Sequence, residues 1–136
     1  MGDNTLDNVM VSLSDTREIR LSKLLSAWSQ HVERLRNEVM TSNSDSSWTP
    51  HDLVAALILR DRVSDALNEF PLLSDAANAA GLTAADRVFK AITIEDPDEL
   101  VVSFASKQRP AQWWWSRLPK SGSIRDDLVA FGRNFT

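Results

Sequence analysis

The 136-residue chain has no cysteine, no tyrosine and only two histidines. Without thiols there are no disulfides, no thiolate metal sites and no cysteine nucleophile. This fits a reducing compartment, and a cytoplasmic protein is the expectation. The four glycines stand alone at positions 2, 81, 122 and 132, so no glycine-rich loop cradles a phosphate. His31 and His51 have no carboxylate at ligand spacing. No Gly-x-Ser-x-Gly, His-Glu-x-x-His or EF-hand loop occurs. No apolar run has the length to cross a bilayer, the longest being 53–59. The opening MGDNTLDNVM is acidic and polar and does not read as a signal peptide. Leu6 stands where a myristoylation motif beginning at Gly2 needs Ser or Thr. These absences predict a protein that is not an enzyme, with no catalytic residue, no metal and no cofactor. An enzyme of unfamiliar type would need a cleft organised around His31 or His51.

Net charge is −4 with a pI near 5.1, which lacks the basic footprint of a general nucleic-acid binder. The charge is uneven. Residues 1–70 carry eleven acids and seven bases, whereas 71–136 carry eight of each. An acidic knot of Glu95, Asp96, Asp98 and Glu99 precedes Lys107, Arg109, Arg117, Lys120 and Arg125, with no acid until Asp126. The knot contains Asp96-Pro97, a helix-opening pair, and acids are favoured at a helix start. That explains it better than a cation site.

What is present is helical period almost throughout. The one β-branched patch is Ile92-Thr93-Ile94. The prediction is an all-α bundle of about five or six helices, with a loose tail over 1–13 and a single helical domain over 14–136. Ser14 or Asp15, with Glu18, caps a helix over 17–40. Leu21, Leu25, Trp28, Val32, Leu35 and Val39 recur at steps of four and three, the spacing of a coiled-coil seam. That seam packs either on its own chain or on a second copy. A polar loop follows over 41–47. Thr49-Pro50 and Asp52 then open a helix that continues to Phe70 and stops at Pro71. Its turn at 53–59 is apolar almost all round and should be the most buried. A short helix over 72–80 closes at Gly81, and another starts at Thr83 with Asp86 in a capping-box position. Two further helices are expected, one after Asp96-Pro97 and one over 124–131. The expected core holds Leu25, Trp28, Val32, Leu35, Leu57, Ile58, Val63, Leu67, Phe89 and Phe104.

Residues 72–91 superficially match a DNA-reading helix-turn-helix. Arg87 and Lys90 occupy positions that should be apolar, and the second helix offers little to read base edges. An ordinary helical hairpin explains the segment.

Trp113-Trp114-Trp115 is the most informative feature. Three consecutive residues on a helix fan over about 200°, and on a strand the middle one opposes its neighbours. One packing face does not hold all three. Two indoles that cap the bundle would be a purely structural use. Trp and Arg are also the residues most enriched at binding hot spots, and Arg109 and Arg117 flank the run. The candidate partner-binding set is therefore Arg109, Trp113, Trp114, Trp115 and Arg117, with another protein as the partner. A membrane surface and stacked single-stranded nucleic acid are chemically allowed and rank behind it. Homo-oligomerisation through the seam is a second surface to consider.

The stretch 85–118 joins a short Asp/Arg/Lys-bearing helix, about twenty further residues, a proline and Trp-Trp-Trp-x-x-Leu. It resembles a helical module of uncharacterised bacterial multidomain proteins of signalling or conflict type. The resemblance covers about a quarter of the chain, and no membrane span follows the motif here. It implies a helical accessory or adaptor module of bacterial origin, and carries over no catalytic residue. The expected function is thus a non-catalytic protein-interaction module, an adaptor or small regulatory subunit of bacterial signalling or defence. One alternative is a helical subunit scaffolding nucleic acid in a ribonucleoprotein, with the basic run 107–125 along phosphates. Another is an antitoxin, immunity protein or inhibitor.

Overall fold

The computed structural model describes residues 5–40, 48–106 and 112–133. The polar loop 41–47, Lys107, Arg109 and Pro110 fall outside them. The described residues form seven α-helices and two small antiparallel hairpins, so the chain is mostly helical but not purely all-α.

The first correction lies at the N-terminus. Residues 5–13 are not a loose tail. α1 (Thr5–Asn8) leads into β1 (Met10–Ser14), which pairs with β2 (Arg17–Arg20). Ser14 ends β1 and Asp15 and Thr16 turn the chain, so neither Ser14 nor Asp15 caps a helix, and the ladder bulges between Ser12 and Ser14. Val11, Leu13 and Ile19 alternate inward and are half-buried, which is the strand period acting over only a few residues. The helix expected from Arg17 accordingly starts at Leu21, whose N–H donates to the Val9 carbonyl at 2.8 Å.

α2 (Leu21–Met40) presents its seam to α3 (Pro50–Glu69) and α5 (Leu82–Ile92). Leu21, Leu25, Trp28, Val32, Leu35 and Val39 are all buried in the chain's own core. The seam is therefore not an exposed face for a second copy. Fully burying side chains such as Leu21, Leu53 and Leu57 contributes about 1.5–3 kcal/mol each.

The start of α3 is as its sequence dictates. Pro50 needs no N–H partner there, and the Asp52 carboxylate accepts from the Thr49 N–H at 2.8 Å. Its expected all-round burial is not observed. Leu53, Ala56 and Leu57 are buried, but Ile58 is 37% exposed because it falls on the outer stripe with His51 and Ala55. Leu67 and Phe104 are only half-buried. At Pro71 the chain makes a 3-10 turn, Pro71–Leu73, and continues as α4 (Ser74–Ala79). Gly81 has φ +115°, a left-handed bend that a Cβ disfavours, and it turns the chain into α5.

β3 (Thr93–Glu95) follows α5 directly and pairs with β4 (Arg117–Pro119), with Ile94 opposite Leu118. Between them α6 (Leu100–Ala105) opens with the buried Asp96 carboxylate accepting from the Leu100 and Val101 N–H groups at 3.1 and 3.0 Å. α7 (Ser123–Arg133) packs on α6 and α3. Buried Glu38, near the end of α2, accepts from the Ser123 N–H at 3.2 Å and from its hydroxyl. This acid serves the start of α7 from 85 residues away. Gly122 fits there because its φ is +100° and a Cβ would lie 3.2 Å from the Glu38 carbonyl oxygen.

Candidate functional site

The tryptophan run forms a 3-10 turn, Trp113–Ser116, entered from Gln112 in extended conformation and leaving directly into β4. It therefore serves two environments. Trp114 and Trp115 are buried at 4% and 0% exposure, while Trp113 is half-buried.

The two buried indoles share one carboxylate. Asp61 Oδ1 accepts from Trp114 Nε1 at 2.8 Å and from Trp115 Nε1 at 2.9 Å, and its Oδ2 lies 3.1 Å from Trp115 Nε1. Beside them the Arg60 guanidinium lies 4.2 Å from the Trp114 ring centroid. Arg60 also makes a two-point contact with Asp86, at 3.0 and 2.9 Å, and Asp86 accepts from Trp28 Nε1 at 3.0 Å. Three tryptophans, two aspartates and one arginine thus knit α2, α3 and α5 to the Trp turn. The N–H of each of these three indoles ends on a carboxylate, which satisfies a buried donor. Asp86 does not cap α5 as expected; its carboxylate is turned inward to this network.

Trp113 differs. It touches Phe89 and Trp114 at centroid distances of 6.0 and 5.6 Å, and Lys90 Nζ sits 4.4 Å from its ring centroid. Its indole N–H has no partner among the described residues. Trp113 borders an open groove of about 780 Å³. Trp115, Val102 and Pro97 supply the rest of its apolar lining. Lys90, Glu95, Glu99 and Arg117 supply most of the charge. Glu99 enters α6 in the left-handed region, φ +54°, a conformation that costs a non-glycine residue about 1–2 kcal/mol.

Arg117 lines this groove, but its guanidinium is engaged. Nε donates to the Thr93 hydroxyl at 2.7 Å, and Nη2 donates to the carbonyls of Thr93 and Lys90 at 2.8 and 3.1 Å. It closes the C-terminus of α5, where carbonyls lack helical partners and a cation is favoured. The Thr93 hydroxyl in turn donates to the Phe89 carbonyl at 2.6 Å. Of the sequence candidates, then, the structure brings Trp113, Trp115 and Arg117 to one groove and buries Trp114, which is not part of that lining. Arg109 lies outside the described residues.

Sequence reasoning passed over Lys90 and Glu95 at the groove, and Arg60 and Asp61 below it. A signal for Arg60 existed: it falls on the inner stripe of α3 with Leu53, Ala56, Leu57 and Val63. A cation at a core position implies a buried anion opposite.

The histidines lie elsewhere. His31 stacks against Trp48 at 5.4 Å and His51 against Phe104 at 4.8 Å, and neither lines the groove. Burial lowers the His31 pKa below the ordinary histidine value; nearby Asp52 acts against the shift and Arg34 adds to it. Among the described residues no group of three His, Asp or Glu side chains is placed to hold a metal ion, and no helix is long and apolar enough to cross a membrane.

No family model matches the chain, and neither a curated protein nor a solved structure matches it. The functional reading therefore rests on these residues.

Proposed function

We propose that this is a non-catalytic protein-interaction module, an adaptor or small regulatory subunit, whose contact site is the groove beside Trp113. The observation that carries the reading is the unequal treatment of the tryptophans. Trp28, Trp114 and Trp115 have their N–H groups bound to aspartates, whereas the Trp113 N–H has no partner among the described residues and part of its ring stands at the edge of a groove. A half-exposed indole over a preformed concavity has the chemistry of an interface anchor. The bacterial signalling or defence setting follows only from the resemblance of the Trp-Trp-Trp motif and is part of this proposal.

The test is affinity capture from the native host with three baits: wild type, Trp113→Ala, and Lys90→Gln as a groove variant that spares the indole. Each is first shown to be folded by circular dichroism. Loss of one specific protein from folded Trp113→Ala supports the reading. Equal capture by Trp113→Ala and wild type removes the groove as the contact site. Recovery of nucleic acid, weakening steeply with salt, would favour a phosphate-binding scaffold instead.

A further inference from the structure

The Trp113 ring has three close neighbours, and they are not equivalent. Phe89 lies 6.0 Å from its ring centroid, and Trp114 meets it edge-on at 5.6 Å. Both are buried, at 1% and 4% exposure, and neither moves without disturbing the core. The third is Lys90, whose Nζ stands 4.4 Å from the ring centroid and which is itself exposed. Phe89 and Lys90 are consecutive residues near the end of α5, so the same stretch of helix supplies one fixed neighbour and one movable one. The backbone there is pinned. Arg117 Nη2 donates to the Lys90 carbonyl at 3.1 Å, and Arg117 follows the Trp turn directly. Lys90 is thereby kept within reach of Trp113 at its main chain, while its four-carbon stem is flexible.

We infer that Lys90 is a built-in occupant of the groove, an autoinhibitory contact: in the free protein its ammonium caps the Trp113 ring, and a partner that uses that ring must first displace it. The inference rests on the interaction reading above and adds how that site is regulated. A cation over an indole at an exposed position shifts an equilibrium only about twofold to fivefold. That is enough to keep the ring covered most of the time and too little to exclude a partner. A bare half-exposed indole at the rim of an apolar groove is also a point of unspecific sticking. A lysine laid over it keeps a hydrated charge there without filling the groove. Opening requires no main-chain movement, because one exposed side chain changes rotamer, so Lys90 sets the affinity of the site and leaves its shape alone. Arginine at this position would cap the ring at least as firmly, since its planar cation stacks on an indole, whereas glutamine would leave it uncapped.

Acrylamide, a small neutral quencher of indole fluorescence, reads the cover without a partner. Trp28, Trp48, Trp114 and Trp115 are at most 7% exposed, so quenching reports chiefly on Trp113. In the full chain, Lys90→Gln should raise the quenching constant about twofold, and Lys90→Arg should leave it at or below the wild-type value. Trp113→Ala should remove most of the quenchable signal. The same variants then serve as baits at limiting concentration. For the protein that Trp113→Ala loses, Lys90→Gln should capture about twofold to fivefold more than wild type, and Lys90→Arg no more than wild type. Equal quenching in wild type and Lys90→Gln means that the ring is not capped and overturns the inference. Equal or reduced capture by Lys90→Gln overturns it too, because Lys90 is then a bystander or a contact of the partner. Both of these results leave the interaction reading standing. Absence of any Trp113-dependent capture removes that reading and the inference with it.

Discussion

Trp113 and Trp115 stand two residues apart in one short turn and line one groove, yet they are held differently. Trp115 is fully buried and donates to Asp61. Trp113 is half-buried, has no partner for its N–H among the described residues and is covered on one face by a lysine. The difference teaches that a tryptophan run has no single use. A 3-10 turn has three residues per turn, so successive side chains point about 120° apart. Two of the three can be drawn into a core that supplies an acceptor, and the third is left outside. The structural reading thus accounts for Trp114 and Trp115, and the proposed contact role is confined to Trp113.

Removing each indole in turn is the most direct way to break the comparison. Trp115→Ala should cost about 3–5 kcal/mol, the usual range for a buried Trp cut to Ala, and it also deprives Asp61 of a donor. Trp113→Ala should cost about 1 kcal/mol, since the ring is half-exposed and leaves no polar partner behind. Urea titrations followed by far-UV circular dichroism measure both. Equal losses would mean that Trp113 is as structural as its neighbours.

The second prediction moves to the buried charge below them. The side chains of Arg60 and Asp86 are 9% and 18% exposed. Arg60→Ala leaves the Asp86 carboxylate with Trp28 as its one remaining partner, so a loss of about 3–4 kcal/mol is expected. Asp61→Ala follows at about 2–3 kcal/mol, because it strands two indole donors at a site only partly shut off from water. In the Arg60→Ala protein, loss of the cation over Trp114 should also change the tryptophan fluorescence spectrum. Thr93→Val is a smaller perturbation, about 1 kcal/mol. It removes the hydroxyl between Phe89 and Arg117 but keeps the two carbonyls on which Arg117 also rests.

These sites differ in how far they could be read from the chain. α2 and α3 were legible because each carries its period over 20 residues and α3 has a cap-plus-proline start. The hairpins were not, since their strands have only three to five residues and the stabilising partner of β3 lies beyond α6. Arg17–Arg20 satisfies a helical pattern locally, and it took the pairing of Val11 with Ile19 to make it a strand. At the site, the tryptophan run was visible but its division was not, because the acceptor that divides it lies 53 and 54 residues away on another helix. Asp86 looked like a local cap and serves Arg60 instead, a long-range charge pair overriding a short-range preference. Arg117 looked like a cation for a partner, yet the helix end before β3 supplies carbonyls that claim it.

The smallest expected effect extends the comparison to a further indole. Trp48, at 7% exposure, carries Arg34 5.6 Å from its ring centroid and His31 stacked at 5.4 Å. It thus resembles Trp113 in having a cation over the ring, but it lies inside the fold. Burial holds the His31 pKa below 6.5, the value expected for the unfolded chain. Protons therefore bind the unfolded state more readily than the folded one once the pH drops through that value. The stability from a neutral His31 is fully present above about pH 6.5, declines as the pH falls through it, and levels off below the folded-state pKa. The measurement is the difference in unfolding free energy between wild type and His31→Gln, taken from about pH 7.5 to about pH 5.5 so that the other titrating groups cancel. The difference should be flat above neutrality and shift against the wild type below it. A shift in favour of the wild type at low pH would mean that the Asp52 carboxylate outweighs burial and that an imidazolium is held beside Trp48, much as Lys90 is held over Trp113.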